Sequence, residues 1–186
     1  MKDTMTDRRQ DIIKAGIAVL RESGFSGFTQ PRVAAEAGLR QSHLTYYFPT
    51  RVDLLAGVAR AAIERQLEAV DAIVGTSSPQ AAAKVIANVA VRHENTRVIM
   101  ALAQAADQEP SLRVIFHELA DGIILRVGKL LEQLKIAPTD EHCYLLHALS
   151  VGLAVIDLAT ARKDGDRRAA QTLETVFALL TKGAGR

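Results

Sequence analysis

Apolar residues recur every three or four positions along most of the chain, whereas the strict alternation of a half-buried strand is nearly absent. In the first helix, Ile13, Ile17 and Leu20 share one stripe. That helix should begin near residue 6 or 7 and end at Ser23 and Gly24, because glycine readily adopts the left-handed conformation that ends a helix. The pattern predicts an all-α protein.

Two short helices joined by a tight turn come next. The second helix, at 30–36, has Thr29 as its N-cap, because a threonine hydroxyl can accept hydrogen bonds from free backbone amides. Gly38 supplies the turn. The third helix covers about 40–46, and Pro49 ends it because the residue before a proline disfavours helical geometry.

The remainder predicts a connector helix and a helical body. Thr50 and Asp53 form a capping-box-like start for the connector, which continues to about residue 74. Prolines and turn residues then separate five helical segments, at about 79–91, 94–107, 111–135, 140–163 and 167–182. We expect about nine helices in two domains, a helix-turn-helix head at 1–50 and a helical body at 51–186.

Charge is distributed unevenly between these two parts. The chain carries a net charge of +2, and residues 1–51 hold eight basic against five acidic side chains. The first 51 residues therefore carry +3, and the others sum to −1. No acidic residue lies between Glu36 and Asp53, whereas Arg40, His43 and Arg51 do. A basic head whose third helix, the second of the helix-turn-helix, is acid-free favours contact with a polyanion.

An Ala-Gly turn and a Tyr-Phe pair occur in a specific order and spacing within this window. The motifs are Gly24-Phe25, Thr29, Val33-Ala-x-x-Ala-Gly38-Leu39, Leu44-x-x-Tyr47-Phe48, Pro49-Thr50-Arg51 and Leu54-Leu55. With them, residues 9–57 resemble the N-terminal domain of the tetracycline-repressor-like (TetR) family of bacterial transcription regulators. The resemblance covers about a quarter of the chain.

The resemblance implies a three-helix DNA-binding domain joined by a connector helix to a C-terminal helical ligand-binding and dimerisation domain. It implies a ligand-responsive, dimeric, sequence-specific transcriptional regulator, foremost a repressor that a small molecule releases from a palindromic operator in double-stranded DNA. Thr45 stands where the family often has tyrosine, Ser42 where it often has glycine, and Arg51 where it often has lysine. These departures bear on which operator is read.

A recognition helix presents long polar side chains near its N-terminus to the major groove. Arg40 and Gln41 suit this role, because arginine can pair with guanine and glutamine with adenine through two hydrogen bonds each. Tyr47 is open to two interpretations, a packing residue or a phosphate contact, and His43 is a contact or simply exposed. The predicted DNA-binding residues are Thr29, Arg32, Arg40, Gln41, Ser42, His43, Thr45, Tyr46, Tyr47 and Arg51, with phosphate roles expected for Thr29, Tyr47 and Arg51.

One helix-turn-helix reads few base pairs, so a two-fold related pair is expected. The segment 144–159 is apolar on nearly every face, which indicates burial all round, one side in the core and the other against a partner. The family builds its dimer from the last two long helices. The predicted homodimer interface comprises Leu149, Gly152, Leu153, Ile156, Leu173, Val176, Phe177 and Leu180.

The resemblance also implies a small-molecule pocket in the body, between the connector and the middle helices, for an effector whose identity the sequence does not encode. Such a pocket is mainly apolar, with a few polar groups that orient the ligand. Each candidate is equally interpretable as a core or a satisfied polar residue. The candidates are Met100, Gln104, Phe116, His117, Ile124, His147 and Asp157.

The compartment is predicted from cysteine usage and hydropathy. The single cysteine, Cys143, excludes an internal disulfide framework and fits a reducing compartment. The charged N-terminus lacks an apolar signal core, and the apolar region 143–159 is shorter than the ~20 residues of a spanning helix. We expect a cytoplasmic protein with no membrane partner.

The histidines and glycines of the sequence do not form any of the common catalytic motifs. His117-Glu118 lacks the second histidine of a zinc-protease motif, and no phosphate-cradling glycine loop or G-x-S-x-G elbow occurs. We therefore predict no enzyme, no catalytic or metal-binding residue and no cofactor. The alternative to a DNA reader is a helical adaptor or interaction protein with a degenerate helix-turn-helix, which the acid-free window disfavours.

Overall fold

The computed structural model describes residues 2–90 and 92–183. The described residues form nine α-helices and a short 3-10 helix at Pro110–Leu112, with no strand among them. The helices are α1 Lys2–Ser23, α2 Gln30–Glu36, α3 Gln41–Tyr47, α4 Arg51–Val74, α5 Pro79–Ala90, α6 His93–Gln108, α7 Arg113–Gln133, α8 Asp140–Thr160 and α9 Gly165–Gly183.

The predicted all-α class and the helix count are confirmed. The helix bounds differ most from the prediction at two ends: α1 begins at Lys2, and α8 ends at Thr160 because Ala161 adopts the left-handed conformation with φ 45°. Residue 91, the predicted end of the fifth helix, and residues 1 and 184–186 of the predicted domains lie outside the described part.

The chain divides into two compact units. Unit 1 comprises Met1–Arg65 and Arg97–His117, and unit 2 comprises Gln66–Thr96 and Glu118–Arg186. The chain passes between the units inside α4, α6 and α7. The division at residues 50 and 51 stays a prediction. The first half of α4 belongs with the head because its apolar face is buried there.

Unit 1 has a core made where α1, α3 and α4 meet. Phe28, Phe48 and Leu54 are fully or almost fully buried. Two glycines permit the close approach: a Cβ on Gly16 would lie 2.5 Å from Cγ2 of Val58, and one on Gly57 would lie 2.8 Å from Cε1 of Phe48. This packing fixes the surface on which α3 rests.

Unit 2 has its own core, to which α5, α7, α8 and α9 contribute. Leu173 and Phe177 are fully buried in it, and Leu180 is nearly so. These three predicted interface residues therefore stabilise the subunit itself, because α5 packs against the face of α9 that carries them. Leu149, Leu153 and Val176 are partly buried against the same cluster.

The end of α4 is joined to α7 by an exposed ion pair within unit 2. Nε and Nη2 of Arg126 donate to the two carboxylate oxygens of Asp71 at 2.7 and 3.0 Å. The hydrogen bond from Arg126 lowers the pKa of the Asp71 carboxyl. The helices also approach closely beside it, where a Cβ on Gly122 would meet the Leu67 side chain at 2.9 Å.

Among the described residues, α8 is long and apolar enough, by length and composition alone, to cross a membrane; its mean hydropathy is 1.7, and 17% of its apolar stretch is buried. Core helices of soluble proteins can be equally long and apolar. The exposed apolar side chains of α8 include Leu145, Val151 and Ile156. This helix therefore carries apolar surface that the subunit leaves uncovered.

Candidate nucleic-acid interface

The turn between α2 and α3 has the geometry that the sequence predicts. Thr29 is the N-cap of α2 with extended backbone, and its hydroxyl accepts from the amide of Arg32 at 3.4 Å. Gly38 has φ +65°, a conformation that L-residues other than Asn and Asp rarely adopt. The turn therefore needs its glycine for conformation, since a Cβ there would meet nothing within 4 Å.

The other end of α3 is stabilised by the start of α4. The amide of Thr50 donates to Oδ2 of Asp53 at 3.0 Å, and the amide of Asp53 donates to the hydroxyl oxygen of Thr50 at 3.0 Å. This is a reciprocal capping box with aspartate in place of glutamate. It fixes the direction in which the chain leaves the helix-turn-helix.

The third helix is held by one face and leaves the other exposed. Leu44 is fully buried and Phe48 nearly so. Arg40, the N-cap of α3, and Gln41, the first residue of the helix, are exposed. No acidic side chain lies in the first turn of α3. The exposed face therefore offers donors and acceptors without the carboxylates that would repel phosphate.

The remaining predicted contacts of α3 differ in how far they are available. Ser42 and His43 are exposed. The Thr45 hydroxyl donates to the carbonyl oxygen of Ser42 at 3.1 Å, so it retains only acceptor capacity. The ring of Tyr46 is 71% exposed and lies edge-on to that of the half-buried Tyr47, with centroids 5.2 Å apart. Tyr47 thus combines packing with a partly accessible ring.

At the start of α2, Thr29 and Arg32 are both exposed. Free amides of a first helical turn favour anions, and an exposed guanidinium beside them adds a cation. Both residues therefore remain available for the phosphate and DNA contacts that the sequence predicts.

Arg51 makes contacts within the protein that the sequence did not predict, and its phosphate role stays a prediction. Its Nε donates to the carbonyl oxygen of Phe28 at 3.0 Å, and Nη2 lies 3.5 Å from that of Phe25. Its guanidinium carbon also stacks 4.5 Å from the centroid of the Phe25 ring. The side chain therefore joins the start of α4 to the α1–α2 loop, a structural role that sequence reasoning missed.

Two further contacts to Phe48 were missed by sequence reasoning. Nε2 of Gln30 donates to the Phe48 carbonyl oxygen at 2.9 Å, and the Arg9 guanidinium carbon lies 4.8 Å from the Phe48 ring centroid. Both join residues far apart in the chain, so no local pattern signals them. The structure therefore adds Gln30 and Arg9 to the residues that support α3.

The predicted pocket residues are divided between the two units. Met100, Gln104, Phe116 and His117 belong to unit 1, and Met100, Gln104 and His117 are exposed there. Ile124, His147 and Asp157 belong to unit 2.

Within unit 2, these three have distinct surroundings. Ile124 packs against the core cluster. His147 is half-buried, and burial lowers the pKa of its imidazole. Asp157 is buried, and its Oδ2 already accepts a hydrogen bond from His93 at 2.7 Å. Its carboxylate is thus engaged within the subunit.

Comparison with known proteins places this geometry in a family. The profile of the TetR family of bacterial regulatory proteins matches residues 12–58. A TetR-family member from Streptomyces coelicolor A3 is 30% identical, with 91% of this chain and 97% of that chain covered and a TM-score of 0.72. The multidrug binding protein EbrR complexed with proflavin is also 30% identical, with 91% and 99% covered and a TM-score of 0.65.

A more distant structure shares the fold. A transcriptional regulator from Rhodococcus sp. Rha1 is 20% identical and has a TM-score of 0.82 over 94% of this chain and 96% of that chain. The curated proteins give no match. The similarity therefore extends well beyond the helix-turn-helix to nearly the whole chain.

Proposed function

Because this chain belongs to the TetR family of bacterial regulatory proteins, DNA-binding transcription regulators and not enzymes, we propose that it is a ligand-responsive repressor that binds a palindromic operator as a homodimer. The observation that carries the DNA-reading role is the exposed, acid-free N-terminal face of α3 above a buried Leu44. Arg40 and Gln41 are the base-reading side chains, since both can make bidentate hydrogen bonds to base edges.

Selection of bound duplexes from a random DNA pool tests this role. We expect a two-fold symmetric site with half-sites a helical turn apart, about 34 Å, or a multiple of it. Arg40→Ala should weaken binding to the selected duplex by about 1–3 kcal/mol and relax the preference at one base pair of each half-site. Arg113→Ala removes the same charge from an exposed position of α7 and serves as the control.

Failure of the selection would have a clear meaning. Recovery of no motif, together with no salt-sensitive affinity for random duplex, would favour a helical adaptor with a degenerate helix-turn-helix, because phosphate contacts make DNA affinity fall with salt. Equal affinity of Arg40→Ala and Arg113→Ala for the selected duplex would contradict a base-reading role for Arg40.

For the homodimer, we propose that the exposed apolar side of α8 and the outer side of α9 form the interface. Leu145, Gly152 and Ile156 recur at the spacing of one helical stripe, and a Cβ on Gly152 would meet nothing within 4 Å in the subunit. Leu179 is exposed on α9. Burial of these side chains by a second copy would cover the apolar surface that the subunit leaves to solvent.

Charge insertion tests the interface. Ile156→Glu should convert the dimer to a monomer in sedimentation velocity, because a carboxylate would be buried without a partner. Leu125→Glu is the matched control, since Leu125 on α7 is 60% exposed and Ile156 is 61% exposed. If both variants sediment like the wild-type dimer, or the wild type sediments as a monomer, the proposed interface is wrong.

For the effector, we propose a largely apolar small molecule; the relative EbrR is known in complex with proflavin. Within unit 2, we propose that the half-buried, polar His147 helps to orient this molecule. Binding must favour a conformation in which the two heads are badly spaced for the operator, because an effector shifts an equilibrium only by its differential affinity for the two states.

Proflavin is the probe for this proposal. We expect it to bind the free protein more tightly than the operator complex, and to lower operator affinity by the same factor, because coupling is reciprocal. Binding with no effect on operator affinity would contradict release by this molecule.

A reporter gene placed behind the selected operator would distinguish repression from activation. Cell fractionation would test the proposed cytoplasmic location.

A further inference from the structure

Gln30 and Phe48 connect the two ends of the helix-turn-helix that lie away from its turn. Gln30 is the first residue of α2, and Phe48 follows the last residue of α3. Nε2 of Gln30 donates to the carbonyl oxygen of Phe48 at 2.9 Å, in a partly buried position. Together with the turn at Gly38, this hydrogen bond gives the two helices a second point of attachment.

The Phe48 carbonyl has a particular need for this donor. The last carbonyls of a helix have no partner within the helix, and Phe48 lies just beyond the last residue of α3. The Phe48 ring is also held, since it contacts Gly57 of α4 and lies under the Arg9 guanidinium at 4.8 Å. The side-chain bond from Gln30 joins Phe48 to α2.

We propose that Gln30 is a positioning residue for DNA recognition, which fixes the angle at which α3 presents Arg40 and Gln41 to base edges. The inference rests on the proposed DNA-reading role of α3. Bidentate pairing demands close alignment, within roughly 0.5 Å and 10–20° of the productive geometry. The turn at Gly38 and the buried Leu44 already hold this seven-residue helix, and the Gln30 bond adds an attachment beyond its C-terminal end that further restricts its tilt.

The role differs from a direct phosphate contact. One N–H of the Gln30 amide is engaged by Phe48 and the residue is half-buried, whereas the neighbouring Thr29 and Arg32 are exposed. Loss of the bond should therefore change discrimination between DNA sequences and leave sequence-independent affinity intact. This separation gives the proposal a measurable signature.

The test compares Gln30→Met with the wild type on two DNAs, a duplex selected from a random pool by the wild type and a random-sequence duplex. Methionine keeps the length of the side chain and removes the donor. We expect affinity for the selected duplex to fall about fivefold per head, and so about 25-fold for two heads, as one hydrogen bond each would give. Random-duplex affinity and its salt dependence should stay unchanged. Gln80→Met, at an exposed position of α5, is the control.

Gln30→Glu provides a second variant that protects against misfolding. It also lacks the donor, but its negative charge in the first turn favours α2 itself. Its added charge weakens all DNA binding, so the ratio of selected to random affinity is the readout, and that ratio should fall as in Gln30→Met. Circular dichroism and melting temperature monitor folding.

Each outcome decides the proposal. An unchanged ratio in both variants would overturn it and leave the DNA-reading role intact. Equal losses on both DNAs with a lowered melting temperature would also overturn it, because they indicate a merely structural role. Absence of specific binding by the wild type would overturn the DNA-reading role and this inference together.

Discussion

Nε2 of His93 lies 2.7 Å from Oδ2 of Asp157, so the first residue of α6 is joined to the C-terminal part of α8 across 64 positions of the chain. The carboxylate accepts, so the ring nitrogen donates. The same carboxylate contacts Gly165, the first residue of α9, so closely that a Cβ there would overlap it. One buried acid on α8 therefore contacts residues of two other helices, α6 and α9, within unit 2.

Removal of His93 should destabilise the protein, because it leaves the buried Asp157 carboxylate without its partner. We expect His93→Ala to lower the free energy of unfolding by about 1–3 kcal/mol. Asp157→Asn should cost less than Asp157→Leu, since an amide oxygen can still accept from the ring. Thermal unfolding at fixed protein concentration measures both. His117→Ala, at an exposed position, is the control, and equal melting of the two alanine variants would contradict the prediction.

Arg51→Lys should destabilise unit 1 although it keeps the charge. A lysine ammonium group can donate to the Phe28 carbonyl, but it has no planar group that could stack on the Phe25 ring. We therefore expect the free energy of unfolding to fall by about 1–2 kcal/mol. Random-duplex affinity should change little. Arg32→Lys, at an exposed site, is the matched control in chemical denaturation. A large loss of DNA affinity at unchanged stability would restore the phosphate role predicted from the sequence.

Two glycines of the head should respond differently to alanine. Gly38→Ala should cost about 1–2 kcal/mol because of its positive φ, and Gly38→Asn should cost less because asparagine tolerates that conformation. Gly57→Ala should act by contact instead, since its Cβ would press on the Phe48 ring. Phe48→Leu should therefore relieve Gly57→Ala and not Gly38→Ala. A double-mutant cycle in urea measures this coupling, and additive effects would contradict it.

Cys143 should be nearly inert in the folded protein. Burial first, and then the carboxylates of Asp140 and Glu132, raise the pKa of its thiol, so little reactive thiolate is present. We expect slow reaction with a disulfide reagent in buffer and rapid reaction in guanidinium. Ser111→Cys in a Cys143→Ser background gives an exposed thiol for comparison. Equal native rates for the two thiols would disprove the burial argument.

His147 should contribute to acid sensitivity. Burial lowers the pKa of its imidazole, so the unfolded chain binds more protons than the folded one between the two pKa values. Its contribution to stability is full above the unfolded histidine value, about 6.5, and falls as the pH drops toward the folded pKa. His147→Gln should therefore lose less stability than the wild type between pH 7.5 and pH 5.5 in urea unfolding. Equal losses of stability in the two proteins would contradict this prediction.

Local chemistry allowed much of the head to be predicted. Thr29, Gly38, Pro49 and the Thr50–Asp53 pair begin or end helices through their own backbone and side-chain preferences, and the structure has each of these features. The spacing of the Ala-Gly turn and the Tyr-Phe pair likewise predicted the family. Such signals lie within a few residues of one another, so a sequence displays them directly.

By itself, then, the sequence determined the helices, their order and the family. Only the tertiary structure decided which face of a helix is covered and which polar side chains meet. Leu173 and Phe177 are apolar in a pattern that suits either a core or an interface, and the packing of α5 on α9 buries them in the subunit. Gln30 meets Phe48 across 18 positions and His93 meets Asp157 across 64. Contacts at such separations depend on how the whole chain packs, and no local preference encodes them.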